Sequence, residues 1–173
     1  DIVAIATTPN THAEISSKAM EAGKHVFIEK PIATTLEDAE LIRSVKYKTG
    51  MQATVDHLLR YNPIIESVAK LSHKKIFGEL RRADVENYAQ DTSLPPGHWF
   101  WDLEVSGGIM VEHGVHFIDL VNYISGQKYT EVNGFIHHRT KNQTDQVIAN
   151  VLYRDGLMAT YYHSFARPGF FEN

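Results

Sequence analysis

The chain has no cysteine among its 173 residues. That excludes disulfides, thiolate metal sites and a cysteine nucleophile. It fits a reducing compartment, and a cytoplasmic location is the expectation. Long apolar runs are missing too. None approaches the roughly 20 residues that span a bilayer, so no membrane partner is expected. Positive charge is modest, with 17 Lys and Arg against 21 Asp and Glu and a net charge of −4. No basic stripe offers a footprint for nucleic acid or an anionic surface. There is no internal repeat and no low-complexity tract. What is present is the profile of a globular protein, 43% hydrophobic and 22% charged, long enough for one domain or one domain plus part of another. An initiator methionine is absent as well: the chain opens in the strand-like "DIVAIATT" and closes on "RPGFFEN". A piece of a longer protein is the expectation.

The first third alternates strand and helix signals. "DIVAIA" is β-branched and apolar on both faces, as a parallel strand buried on both sides would be. "TTPNTHAEISSKAMEAGK" supplies a turn and a helix, with Thr11 and Glu14 spaced as a capping box and Gly23 as the stop. "HVFIEKP" is a second strand ended by Pro31. "TTLEDAELIRSVKYKTG" predicts a helix capped by Thr35 and stopped by Gly50, and "MQATVDH" a third strand. The order β-α-β-α-β predicts right-handed crossovers and a parallel sheet.

The rhythm breaks at "LRYNP". "NPIIESVAKLSHKK" reads as an amphipathic helix and "ELRRADVENYA" as a strand with one covered face. A loop rich in Pro and Trp follows, "QDTSLPPGHWFWDLEV", and then a helix from about Gly108 to Ile124. "TEVNGFIHHRT", "DQVIANVLYR" and "LMATYYHSF" read as strands, the last two joined by a hairpin at "RDG". The expected fold class is therefore α/β: residues 1–60 as the second half of a doubly wound, Rossmann-type parallel sheet, then residues 61–173 as an α+β domain of helices among antiparallel strands.

In doubly wound folds ligands sit outside the carboxyl ends of the parallel strands. Thr7 to His12, Glu29 to Pro31 and Asp56 to Arg60 share that edge. Lys30 is an ammonium at a strand end, restricted by the proline after it. It is either a solvated lysine or a group able to hydrogen-bond a substrate hydroxyl. On the predicted helix, Glu112, His116 and Asp119 recur at i, i+4 and i+7 and share one face, with His113 rotated away. Spacing alone leaves three readings open: a polar structural face, an acid–base site centred on His116, and a metal site. Gly107 and Gly108 would let the helix start approach a ligand closely. Trp99 and Trp101 read as core or lid, and His137 and His138 as opposite-facing strand residues.

Taken together and in this order, the motifs resemble the Gfo/Idh/MocA family of oxidoreductases. The resemblance rests on "TPN" with His12, on "AGKHVFIEKPIA", on "LRYNP", on "SGGIMVEHGVHFID" and on the closing strands, and it covers essentially the whole chain. It implies an NAD(P)-dependent dehydrogenase acting on a secondary hydroxyl of a sugar, polyol or related compound. It also implies no metal, a second domain built on a large, mostly antiparallel open sheet, and pairing of copies through that open sheet as a homo-oligomer. Apolar and aromatic residues on both sides of "IANVLY" and "MATYYHSF" agree with such pairing. By the same resemblance Lys30 and His116 are catalytic, with Glu112 where many members carry aspartate. Thr8, Pro9, Asn10, His12, Glu29, Lys30 and Pro31 line the dinucleotide. Arg60, Trp99, Trp101, His113 and Asp119 are kept as substrate-contact candidates. Ser106 stands where the family has a first glycine. The phosphate-binding G-x-G-x-x-G is not in the chain, so NAD and NADP both stay open, and the isolated fragment is expected to be inactive. A non-catalytic dinucleotide-binding sensor or assembly subunit on the same scaffold is the alternative.

Overall fold

A computed structural model describes residues 1–90, 94–141 and 143–165. The closing "RPGFFEN" and residues 91–93 of the Pro- and Trp-rich loop lie outside the described residues. The chain forms two compact units, one from Asp1–Asp56 with His98–Glu112, the other from His57–Gly97 with residues from His113 onward.

The first unit holds a parallel sheet of β1 (Ile2–Ile5), β2 (His25–Ile28) and β3 (Ala53–Val55), in that order. Helices α1 (His12–Glu21) and α2 (Leu36–Thr49) are its crossovers. Their inward faces close a core of Ile5, Ala13, Met20, Val26, Ile28, Ile42 and Val45. The sequence suggests strands buried on both sides, but the second face, with Ile2 and Phe27, is exposed. Right-handed crossovers between strands in the order β1-β2-β3 put both helices on one face. The cap signals divide. Thr35 Oγ1 accepts from the Asp38 amide at 3.1 Å, and Gly50 closes α2 in the left-handed conformation. Thr11 makes no capping-box bond; its hydroxyl donates to the Thr8 carbonyl at 2.8 Å and meets Thr7 Oγ1 at 2.7 Å, tying up the turn instead.

The second unit begins with a 3₁₀ turn at Leu58–Tyr61 and helix α3 (Pro63–His73), capped by Asn62 Oδ1 on the Ile64 amide. Strand β4 (Arg82–Tyr88) follows. The chain then passes through α4 (Leu103–Ser106) and α5 (Ile109–Glu112), which belong to the first unit, before α6 (Val115–Ser125). Strands β5 (Tyr129–Thr140), β6 (Gln143–Tyr153) and β7 (Met158–Ser164) complete a four-stranded sheet in the order β4-β7-β6-β5. β5, β6 and β7 run antiparallel, and β4 joins parallel to β7. The β6–β7 hairpin turns at Asp155-Gly156, with Gly156 at φ +84°. Alternation along β7 points Ala159, Tyr161 and His163 into the core and Met158 outward. Two tyrosines lock α6 to this core: Tyr153 donates to Asn122 Oδ1 at 2.9 Å and meets the Tyr161 hydroxyl at 2.7 Å. Burial pushes both phenols up, so both stay protonated donors.

The helix expected over Gly108–Ile124 is two helices. α5 ends at Glu112, and α6 starts after Gly114, whose carbonyl takes the amides of Phe117 and Ile118 at 3.0 and 3.1 Å. The helix is interrupted between them, so Glu112 belongs to α5, while His116 and Asp119 belong to α6.

Candidate active site

The carboxyl ends of β1 and β2 meet through a buried histidine. His12 is fully buried, with Nδ1 donating to the Pro31 carbonyl at 2.8 Å and Nε2 3.2 Å from the Thr7 carbonyl. Its side chain ties the loop after β1 to the loop after β2. Pro9 and Pro31 are buried beside it, and the Lys30–Pro31 peptide is cis. Along this edge Thr7 and Asn10 are exposed, and Thr8, Glu29 and Lys30 are half-buried.

Lys30 is held by the segment that returns from the second sheet. Its Nζ donates to Glu112 Oε1 at 2.5 Å and to the Glu112 carbonyl at 2.8 Å. The lysine side chain keeps 16% exposure and the glutamate 11%. An ammonium has three N–H donors; among the described residues Glu112 takes two of them. The segment that delivers Glu112 is built by Ser106 and the two glycines after it. Ser106 donates to the Asp102 carbonyl at 2.9 Å and accepts from the Gly108 amide at 3.0 Å. Gly107 and Gly108 take φ of +75° and +87°. A Cβ on Gly107 would come within 2.8 Å of Val111 Cγ1 and 3.3 Å of Thr34 Cβ. The glycine pair therefore serves a turn and a close packing, not the start of a long ligand-facing helix. Trp101 is buried in this unit and stacks edge-on with Phe100 at 5.1 Å, whereas Trp99 keeps 37% exposure.

In the second unit Asp119 is engaged by Arg60. Nε donates to Oδ2 at 2.7 Å and Nη2 to Oδ1, a two-point pair, with His57 Nδ1 3.7 Å away. The hydrogen bond to Asp119 raises the Arg60 pKa further. Asp119 thus anchors the 3₁₀ turn to α6, and Arg60 is committed to it while its side chain stays 43% exposed. His113 and His116 stand edge-to-face, ring centroids 6.4 Å apart. His113 also faces His163, a residue that spacing arguments pass over. The signal for it was available: period-two alternation in "LMATYYHSF" puts His163 on the same inward face as Ala159 and Tyr161. His137 and His138 follow separate partners, Asp145 and Thr144. Among the described residues, no three His, Asp or Glu side chains are arranged to hold a metal, and no helix is long and apolar enough to cross a membrane.

A parallel βαβαβ sheet that feeds a mixed sheet flanked by helices, with a lysine at the carboxyl edge, defines a Rossmann-type oxidoreductase architecture. Residues 1–57 match the oxidoreductase family with the NAD-binding Rossmann fold, and residues 65–172 match the GFO/IDH/MocA C-terminal domain. The chain belongs to the GFO/IDH/MocA family. It is 29% identical over 143 residues to scyllo-inositol 2-dehydrogenase (NAD(+)) of Bacillus subtilis, covering 82% of this chain and 40% of that protein. It is 31% identical to 4-carboxy-2-hydroxymuconate-6-semialdehyde dehydrogenase of a Sphingobium strain, covering 98% of this chain and 53% of the relative. Among solved structures, an oxidoreductase domain protein from Kribbella flavida superposes with a TM-score of 0.90 at 27% identity, over 98% of this chain and 50% of that one. The chain thus spans about half the length of these relatives.

Proposed function

We propose that this chain is part of an NAD(P)-dependent oxidoreductase that moves hydride between a nicotinamide cofactor and a secondary hydroxyl of a sugar, polyol or related compound. The observation that carries the reading is Lys30: an ammonium at the carboxyl edge of the parallel sheet, fixed by two bonds to Glu112. The side chains open along that edge fit a dinucleotide. The Thr8 hydroxyl, Asn10 amide and Glu29 carboxylate are the donors and acceptors that ribose hydroxyls and a carboxamide require. His12, with Pro9 and Pro31, shapes the backbone they stand on.

When bound, the nicotinamide supplies the hydride-accepting carbon. The remaining Lys30 N–H donates to the substrate oxygen, orienting it and stabilising negative charge as it develops. His116 accepts the hydroxyl proton, so the alcohol loses a hydride from carbon and a proton from oxygen and becomes a carbonyl. Glu112 keeps the ammonium in place throughout. The scyllo-inositol dehydrogenase relative supports a polyol; the muconate semialdehyde dehydrogenase relative marks how far the substrate can vary on this scaffold.

In the full-length protein, Lys30→Ala lowers kcat by about 10²- to 10⁴-fold while NAD or NADP affinity changes only a few-fold. Calorimetry and turnover over a sugar and polyol panel read both quantities. Failure to bind either dinucleotide, or unimpaired turnover without Lys30, overturns the proposal. Binding with no turnover by the unsubstituted protein would instead support a dinucleotide-binding sensor or assembly subunit. We further infer that copies self-associate through the outward face of the mixed sheet. Met158, Leu152 and Phe135 lie on that face and are exposed.

A further inference from the structure

The inward face of the second sheet carries a histidine that the proposed chemistry does not use. His163 on β7 is fully buried, in register with Asn87 of β4 and Val147 of β6. Its Nδ1 lies 3.4 Å from His113 Nδ1, with the rings nearly perpendicular and 5.4 Å apart. Phe117 packs on it at 5.1 Å, and Phe165 packs on His113 at 5.7 Å.

The titratable groups that bear on His163 are His113, from the turn before α6, and His116, from α6 itself. Asn87, Val147 and Phe117 carry no charge. Asp145, the inward-facing residue two before Val147 on β6, is bonded to His137 and Arg139. Burial first, then the positive charge of His113 and His116, lowers the His163 pKa to about 4, so the ring is neutral near pH 7. Two Nδ1 atoms face each other, and only one of them can donate. A neutral His163 that donates there can serve only a neutral His113. One that accepts there serves His113 in either charge state and favours the charged one.

We propose that His163 is a positioning residue for His113 and, through it, for His116: its Nδ1 accepts a hydrogen bond from His113, fixes that ring beside His116 and favours the protonated form of His113. A proton on His113 disfavours one on His116, which keeps His116 open as a base to lower pH. That kinetic consequence rests on the base role proposed for His116; the structural content does not.

Imidazole ¹⁵N spectra of the full-length protein test the two separately. In the unsubstituted protein His163 is the neutral Nε2–H tautomer; an Nδ1–H tautomer, or titration near the ordinary histidine value, overturns the proposal without any variant. In His163→Phe the His113 protonation constant falls about three- to tenfold, the scale of the difference between a hydrogen bond from a charged donor and one from a neutral donor. His163→Asn, whose amide oxygen can stand where Nδ1 stood, restores it. An unchanged His113 titration in a folded His163→Phe protein overturns the proposal. The acid limb of kcat/KM moves to higher pH in His163→Phe, with KM changed less than about twofold. A shifted His113 titration with an unmoved acid limb upholds the His163 role and overturns the base role of His116.

Discussion

His163 also ties stability to pH, through one side chain. Its folded pKa is lowered to about 4, against roughly 6.5 in an unfolded chain. Above about pH 6.5 both states are neutral and the residue adds no pH dependence. As pH falls toward about 4 the unfolded chain takes a proton that the folded chain refuses, so stability drops, by at most on the order of 3 kcal/mol. Urea unfolding at a series of pH values reads this, and His163→Phe flattens the profile over that window. A profile that stays level in the unsubstituted protein would contradict a neutral buried imidazole. The residue scale is also where sequence spacing stops short. Besides whatever else they touch, the Glu112 carboxylate is bonded to Lys30 and the Asp119 carboxylate to Arg60. Residue type marked these positions as candidates; those two partners were not written in the spacing.

Among the elements, the segment Leu103–Glu112 shows how local signals set a distant contact. A short helix, a left-handed glycine pair capped by Ser106 and a second short helix bring Glu112 onto Lys30. Gly107→Ala meets Val111 Cγ1 at 2.8 Å in a backbone conformation that L residues rarely adopt. It should cost about 1–3 kcal/mol and, on the proposed function, lower turnover of the full-length protein by loosening Glu112. Chemical denaturation with parallel kinetics checks it, and a variant as stable and active as the parent would refute this role for the turn. Thr35, Gly50 and Gly156 act as their sequence contexts predict, because a cap or a turn involves residues a few positions apart. The expected helix through residues 108–124 fails at His113-Gly114. Its apolar period continues across the break, so the period alone gives no warning.

For the whole molecule, the proposed self-association makes Phe135→Glu, on the exposed edge strand, a direct probe. Sedimentation of the full-length protein should show an oligomer that shifts toward monomer by at least about tenfold in dissociation constant, the scale of burying a charge in an apolar contact. A parent protein that sediments as a monomer removes the proposal. The sequence by itself determined the βαβαβ opening, the change to α+β, the hairpin at Asp155-Gly156 and the inward-facing pattern of the last strands. Each follows from side-chain period or turn chemistry among near neighbours. Only the tertiary structure decided that both crossover helices cover one face of the parallel sheet, and that residues 98–112 return to the first unit. It alone paired Lys30 with Glu112, Arg60 with Asp119 and His113 with His163, across 82, 59 and 50 positions. Contacts at that range depend on the path of the folded backbone, and local propensity carries no record of it.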